Sequence, residues 1–236
     1  MSTTPRVVVM GGSSGIGEAV AHRFVEMGAE VTIAGRDKAR LVEAVRRIGK
    51  VRGEVVDGTS FESAQGLFAA LGEFDHLVLA LSGGRGAGPF LTISLDDIRS
   101  GFEAKLFAQL TTLKAALSHV KKSVTFISAA TAITALPGTA GLAAINGAVE
   151  SIVRPLAVEL APLRVNAVRP GVIDTPWWDA VPKAFKESVF SQTAQTLPVR
   201  RVGKPDDVAA AIVMVATNGF ITGEVIGVTG GGSLVR

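Results

Sequence analysis

The sequence predicts one doubly wound α/β domain with a mainly parallel seven-stranded sheet. Three observations carry that reading. Short β-branched runs alternate with longer helical stretches from end to end, most of the runs are apolar throughout, and the first opens directly into a glycine-rich turn. A strand without polar alternation is buried on both faces, so helices must cover both sides of a parallel sheet. The repeating strand–helix–strand order then requires right-handed crossovers. Ligands of such sheets lie beyond the carboxyl ends of the strands, where the strand order reverses.

In chain order, strands are expected at 6–10, 30–34, 53–56, 76–81, 123–128, 163–168 and 224–228. Helices are expected at 15–28, 37–49, 61–72, 95–120, 141–161 and 206–218. No linker, internal repeat or shift of composition divides the chain, so residues 1–236 read as a single domain. The segment at about 176–197 is amphipathic and is read as a lid over the substrate; its sequence says nothing of what the substrate is.

With 236 residues, 47% apolar side chains and a mean hydropathy of +0.39, the chain can bury a full core, and disorder is excluded. The absence of cysteine rules out a disulfide framework, thiol catalysis and cysteine-ligated zinc. His22, His76 and His119 share no metal-binding spacing and read as structural; no metal is expected. A net charge of +3 gives little pull towards nucleic acid, and none is expected as a partner. The uncharged stretch 123–149 is long enough to cross a bilayer, but Asn146 and the Pro137-Gly138 break mark it as a buried strand, loop and helix start. Residues 1–6 are polar and lack the pattern of a signal peptide, so a soluble, cytoplasmic protein without a membrane partner is expected.

The first strand runs into Gly11-Gly12-Ser13-Ser14-Gly15-Ile16-Gly17, where a helix opens. Glycines there permit a tight turn and let the backbone approach a pyrophosphate, while the helix N-terminus faces the phosphates. No Gly-Lys-Ser/Thr follows, which excludes a P-loop. The second strand ends in Gly35-Arg36, where an NAD site carries an acid; a basic residue suits a 2′-phosphate, so NADP (NADPH) is favoured over NAD. Between Arg36 and Arg52 seven basic residues face two acids, a net of 7 − 2 = +5.

These features resemble the short-chain dehydrogenase/reductase (SDR) family, with its Rossmann-type fold, over essentially the whole length. Gly11-x-x-x-Gly15-x-Gly17 matches that family's cofactor turn, and Asp57-Gly58 sits where the family places an acid against adenine. Pro170-Gly171-Val172-Ile173-Asp174-Thr175 resembles the segment that holds the nicotinamide amide and diphosphate. Ser82-Gly83 occupies the place of the usual Asn-Asn-Ala-Gly, and Ile221-Thr222-Gly223 resembles the lead into the last strand. The resemblance implies that Gly11, Ser13, Ser14, Gly15, Ile16, Gly17, Arg36, Asp57, Gly58, Ser82, Gly83, Pro170, Gly171, Ile173 and Thr175 bind cofactor. It also implies a homo-oligomer, a dimer or tetramer, through helices near 95–120 and 141–161, where Gly141, Ala143, Ala144, Gly147 and Ala148 permit close contact.

The same alignment places Ala129, Leu142 and Asn146 where the family has its Ser, Tyr and Lys, and puts Lys105 near its Asn. The chain contains no tyrosine at all. Without that proton donor an ordinary ketone is an implausible acceptor, because general acid help is typically worth about 10²–10⁴-fold. An iminium, already cationic, needs no proton at the reacting carbon. The expectation is therefore an NADP(H)-dependent oxidoreductase with a non-standard site. The alternatives are an inactive dinucleotide-binding sensor or partner subunit, and a non-redox enzyme that reuses the pocket. Asp174, Ser128 and Lys105 are the remaining candidates for chemistry: Asp174 to pair with a cation or donate a proton, Ser128 to bond a substrate oxygen, and Lys105 to orient a hydroxyl or to sit on a solvated face. Trp177 and Trp178 either wall the substrate pocket or pack the lid.

Overall fold

A computed structural model describes residues 4–235; part of the polar stretch 1–6, and the last residue of the span 1–236, lie outside them. In chain order the elements are β1 (Arg6–Met10), α1 (Gly15–Glu26), β2 (Glu30–Gly35), α2 (Lys38–Ile48), β3 (Val51–Val55), α3 (Phe61–Leu71) and β4 (Phe74–Leu79). Then follow α4 (Leu95–Phe102), α5 (Ala108–Ala116), β5 (Val120–Ile127), α6 (Ala140–Ser151), α7 (Val153–Glu159) and β6 (Arg164–Pro170). The chain closes with α8 (Lys183–Thr196), α9 (Pro205–Thr217) and β7 (Val225–Val228). The seven strands form one sheet in the order β3-β2-β1-β4-β5-β6-β7, and every pair is parallel. The order reverses between β1 and β4, so the glycine turn after β1 stands at the crevice.

Side chains of β1 explain why a strand here has no polar alternation. Val7 and Val9 enter one core with Phe24, Leu41, Val208 and Ile212, while Val8 and Met10 enter the other with Phe68, Leu113, Phe126 and Val149. Each face of the sheet is thus roofed by helices and both sets of residues are removed from water.

Three elements differ from the sequence reading. The expected helix 95–120 is interrupted by a π-helical turn, Glu103–Phe107, and ends at Ala116. Periodicity cannot show a π-turn, because one added residue merely rotates the apolar stripe. The expected helix 141–161 breaks at Ile152 into α6 and α7. The lid, read as uninformative, contains the 14-residue α8. By length and composition the stretch Ala140–Glu159 passes as a membrane span. In the fold its Ile145, Val149 and Val153 are buried in the domain.

Candidate active site

Gly11 closes the turn after β1 with φ of +79°, and its N–H donates to the Ala34 carbonyl at 2.7 Å. A β-carbon at Gly17 would collide with the Gly11 carbonyl oxygen, so α1 can lie this close to β1 only without a side chain there. Asp37, Ser60 and Ser94 cap α2, α3 and α4 with side-chain hydrogen bonds; Ser14 makes no such bond at the start of α1. The first-turn N–H groups of Gly15, Ile16 and Gly17 are therefore left for an anion, where the helix dipole also favours it. Ser13 lies beside Gly35 at the end of β2, its Oγ 3.3 Å from where a β-carbon on Gly35 would be. This cradle, which any added β-carbon would fill, fits a dinucleotide pyrophosphate.

Arg36 is exposed at the end of β2 and near Asp57 at the end of β3. The Asp57 carboxylate accepts the N–H and hydroxyl of Thr59, at 3.0 and 2.8 Å, and these bonds hold its pKa below the usual range, with a lesser contribution from Arg36. Gly58 packs under Leu81 and Thr112. Beyond β4, Gly83 has no room for a side chain because of Ala104, and the Ser82 hydroxyl turns onto the Gly83 carbonyl at 3.4 Å. Past β6, Gly171 donates to the Val228 carbonyl, Ile173 pairs with Gly203, and Thr175 lies against Gly15. All the cofactor-binding candidates thus meet along the carboxyl edge of β1, β2, β3, β4 and β6.

The candidates for chemistry are placed differently from expectation. Ser128 is buried and donates its hydroxyl proton to Glu150 Oε1 at 2.7 Å, so that proton is not free for a substrate oxygen. Asp174 is not a lone acid: its side chain pairs with Lys186 of α8 at 3.1 Å. Lys105 is not on a solvated face. It lies within the π-turn, 8% exposed, and its Nζ donates to the Ser128 carbonyl at 3.0 Å. Burial pushes the Lys105 ammonium down to about 8, and the Glu150 carboxylate opposes that shift.

Glu150 and Arg169, which sequence reasoning did not single out, complete this cluster. Arg169 donates Nε to Glu150 Oε1 at 2.7 Å, and the two side chains are only 17% and 12% exposed. A Glu on an amphipathic helix and an Arg near a strand end carry no motif, so nothing in the sequence marked them as partners. Asn146 donates to Thr131 Oγ1 and to the Leu142 carbonyl, while its Oδ1 is buried without a partner among the described residues. Leu142 itself reaches towards Gly86. Gly141 allows close approach within the chain: a β-carbon there would lie 2.5 Å from the Gly86 carbonyl oxygen.

The segment 176–197 is built on aromatic rings. Trp178 meets Trp177 and Phe190 edge-on at centroid distances of 5.0 and 5.3 Å, and its indole N–H donates to the Ile173 carbonyl at 2.9 Å. Trp177 sits further out, with its indole N–H 3.5 Å from the Gly83 carbonyl. Trp178 therefore packs inside this segment, and Trp177 borders the crevice. Replacing Trp178 by Ala should cost roughly 2 kcal/mol, from lost aromatic packing and an orphaned carbonyl. Limited proteolysis should then cut first within 176–197, whereas W177A should leave that segment as resistant as in the parent.

The chain belongs to the short-chain dehydrogenase/reductase family. A family model described as enoyl-(acyl carrier protein) reductase matches residues 11–233. A short-chain dehydrogenase/reductase, ATR9 of Stachybotrys chlorohalonatus, is 30% identical over 97% of this chain and 96% of its own length. A small-chain dehydrogenase solved in complex with NADPH superposes with a TM-score of 0.87 at 29% identity, covering 98% of this chain and 100% of that one. The MalC reductase/Diels-Alderase of Malbranchea aurantiaca superposes equally, with a TM-score of 0.87 at 26% identity, 98% of this chain and 96% of that one being covered. The protein is thus an SDR-type oxidoreductase with a single Rossmann-type domain and a nicotinamide dinucleotide cofactor.

Proposed function

We propose that this chain is an NADP(H)-dependent oxidoreductase with a non-standard active site, acting on an acceptor such as an iminium that needs no proton from the protein. The observation that carries this reading is the contrast between the two halves of the crevice. The glycine turn and the uncapped start of α1 support a dinucleotide site, to which we assign Arg36 as well, whereas the family resemblance aligns Leu142 and Asn146 with its proton donor and its lysine. The bound nicotinamide would supply a hydride, one proton with two electrons, to the carbon of a C=N⁺ group, leaving a neutral amine. What the protein contributes is positioning: a floor at β5 and β6, the Trp177 ring at the rim, and a lid pinned by Trp178.

Mixing the protein with NADPH and a panel of iminiums, imines, activated alkenes and ketones tests this directly. Consumption with cationic acceptors and none with ketones is the expected outcome; rapid turnover of a simple ketone would overturn it. The preference for the 2′-phosphate rests on Arg36. R36A should weaken NADPH binding by about tenfold or more while leaving NADH unchanged, as read by fluorescence titration. A neighbour named for both reductase and Diels-Alderase activity favours a second reading, in which the same pocket closes a ring without redox change. Product formed without loss of NADPH absorbance would mark it. We further propose a soluble, cytoplasmic homo-oligomer, a dimer or tetramer, with no nucleic-acid or membrane partner and with the segment 176–197 as its substrate lid.

A further inference from the structure

Two cations and one anion are gathered at the carboxyl ends of β5 and β6. Ser128 follows Ile127, which pairs with Val168, so Lys105, Ser128, Glu150 and Arg169 stand abreast at one level of the sheet. The charges that face Lys105 are Glu150 from α6 and, behind it, Arg169 from β6; its partner from β5 is an uncharged carbonyl. Arg169 spends its guanidinium on Glu150 in a two-pronged pair, which leaves the Lys105 charge without an anion of its own. Two of the three ammonium protons have no acceptor among the described residues. The sum is +1 in a part of the fold largely shut from water, and the segment starting at Pro170 leaves β6 beside it.

A buried charge that is not neutralised is costly, and no packing argument requires an ammonium at Lys105. The nearby buried oxygens without partners, Gln109 Oε1 on the same helix and Asn146 Oδ1 on α6, add dipoles but no charge. The segment that the family resemblance assigns to the nicotinamide, the part of the cofactor that changes charge, leaves β6 at Pro170 beside this cluster. An oxidised nicotinamide ring is cationic and a reduced one is neutral. A fixed positive charge beneath the ring therefore repels one redox form and not the other.

We propose that Lys105, through the uncompensated charge it leaves beneath the crevice floor, makes this protein discriminate between the two redox states of its dinucleotide, binding NADPH in preference to NADP⁺. The proposal rests on the dinucleotide reading given above. It holds whether the bound pair serves turnover or a sensing role, because it concerns affinities alone. A unit charge acting over about 10 Å at an effective dielectric of about 20 changes a binding constant by roughly tenfold. The same field makes bound NADPH a weaker hydride donor, because it disfavours the cationic form on the protein, while it assists release of that form once the hydride has left.

The test is a pair of titrations on the full chain, with NADPH followed by fluorescence and NADP⁺ by calorimetry, at pH 7 and pH 9. At pH 7 the parent should bind NADPH about tenfold more tightly than NADP⁺. K105M should bring that ratio close to one, mainly by improving NADP⁺ binding. In the parent, the ratio should also shrink at pH 9 as Lys105 loses its proton, whereas in K105M it should be the same at both pH values. Because both forms carry the same 2′-phosphate and adenosine, contributions from Arg36 and Asp57 cancel in the ratio. Equal affinities for the two forms in the parent, or a ratio unchanged in K105M, would overturn the proposal while leaving the dinucleotide site intact. Failure of the parent to bind either form would instead overturn the dinucleotide reading itself. Should K105M not fold, the pH dependence of the parent ratio decides alone.

Discussion

G17A should fold poorly and should no longer be stabilised by NADPH. The added methyl would be driven into the Gly11 carbonyl oxygen, a backbone atom that cannot rotate away, so α1 must move off β1. Forcing a methyl into so close a contact costs typically 1–3 kcal/mol. Moving α1 also removes its N–H groups from the pyrophosphate position. Ligand at 100 times Kd adds about 2.7 kcal/mol to a competent protein, and this increment should vanish in G17A. A thermal melt with and without NADPH measures both effects. G66A is the control: Gly66 lies within α3 with open space around it. Alanine there should stabilise the chain by up to about 1 kcal/mol and leave the NADPH increment intact. A G17A protein that melts like its parent and responds equally to NADPH would remove the glycine turn from the site.

The glycine turn at the crevice was legible because its requirements are local. A tight turn that brings a helix close to its strand needs glycine at fixed spacing, and Gly11 and Gly17 are adjacent in sequence to the β1 and α1 they join. The all-apolar strands were legible for a similar reason: Val7 and Val8 are neighbours that enter opposite cores, and no other sheet type asks that of them.

The floor of the site was not legible, because its partners are distant in sequence. Glu150 meets Ser128 and Arg169, respectively 22 and 19 residues away, only after α6 has packed on the sheet. Lys105 can be read from sequence either as facing the cleft or as lying on a solvated helix face. The π-turn rotates it inward, and no periodicity in the sequence reports that rotation. The sequence allows Asp174 to pair with a cation but does not point to Lys186 as that cation, because Lys186 belongs to a helix that the sequence of 176–197 does not reveal. Pairing across elements, rather than residue type, is what single-chain reading lacks.

His76 should make the fold acid-labile well above the range in which carboxylates titrate. Its ring is buried at the start of β4, stacked 6.1 Å from Phe24, with Nδ1 2.8 Å from Ser123 Oγ. Ser123 has one hydroxyl proton and places it on the Ala216 carbonyl at 3.1 Å, so Nδ1 must carry the ring proton and donate it. A second proton would go to Nε2 of this buried ring, near Lys122 and Arg164. Burial above all lowers the His76 pKa to about 4 from an ordinary 6.5; Asp75 opposes the shift and the two cations add to it. The sign follows from linkage: the unfolded chain takes up the proton from pH 6.5 downwards and the folded chain declines it until about pH 4. Stability is therefore intact above pH 6.5 and is lost as pH falls through that window, by up to about 3 kcal/mol in all. Losses from the ion-paired Asp207, held down to about 2 by the Arg201 hydrogen bond, come only at lower pH. Urea unfolding between pH 4 and 7 should show a slope approaching 1.4 kcal/mol per pH unit in the parent. H76Q, which can still donate to Ser123, should be nearly flat over the same range. An equal slope in both would locate the acid sensitivity elsewhere and would mean that the imidazole takes up its proton without leaving the native fold.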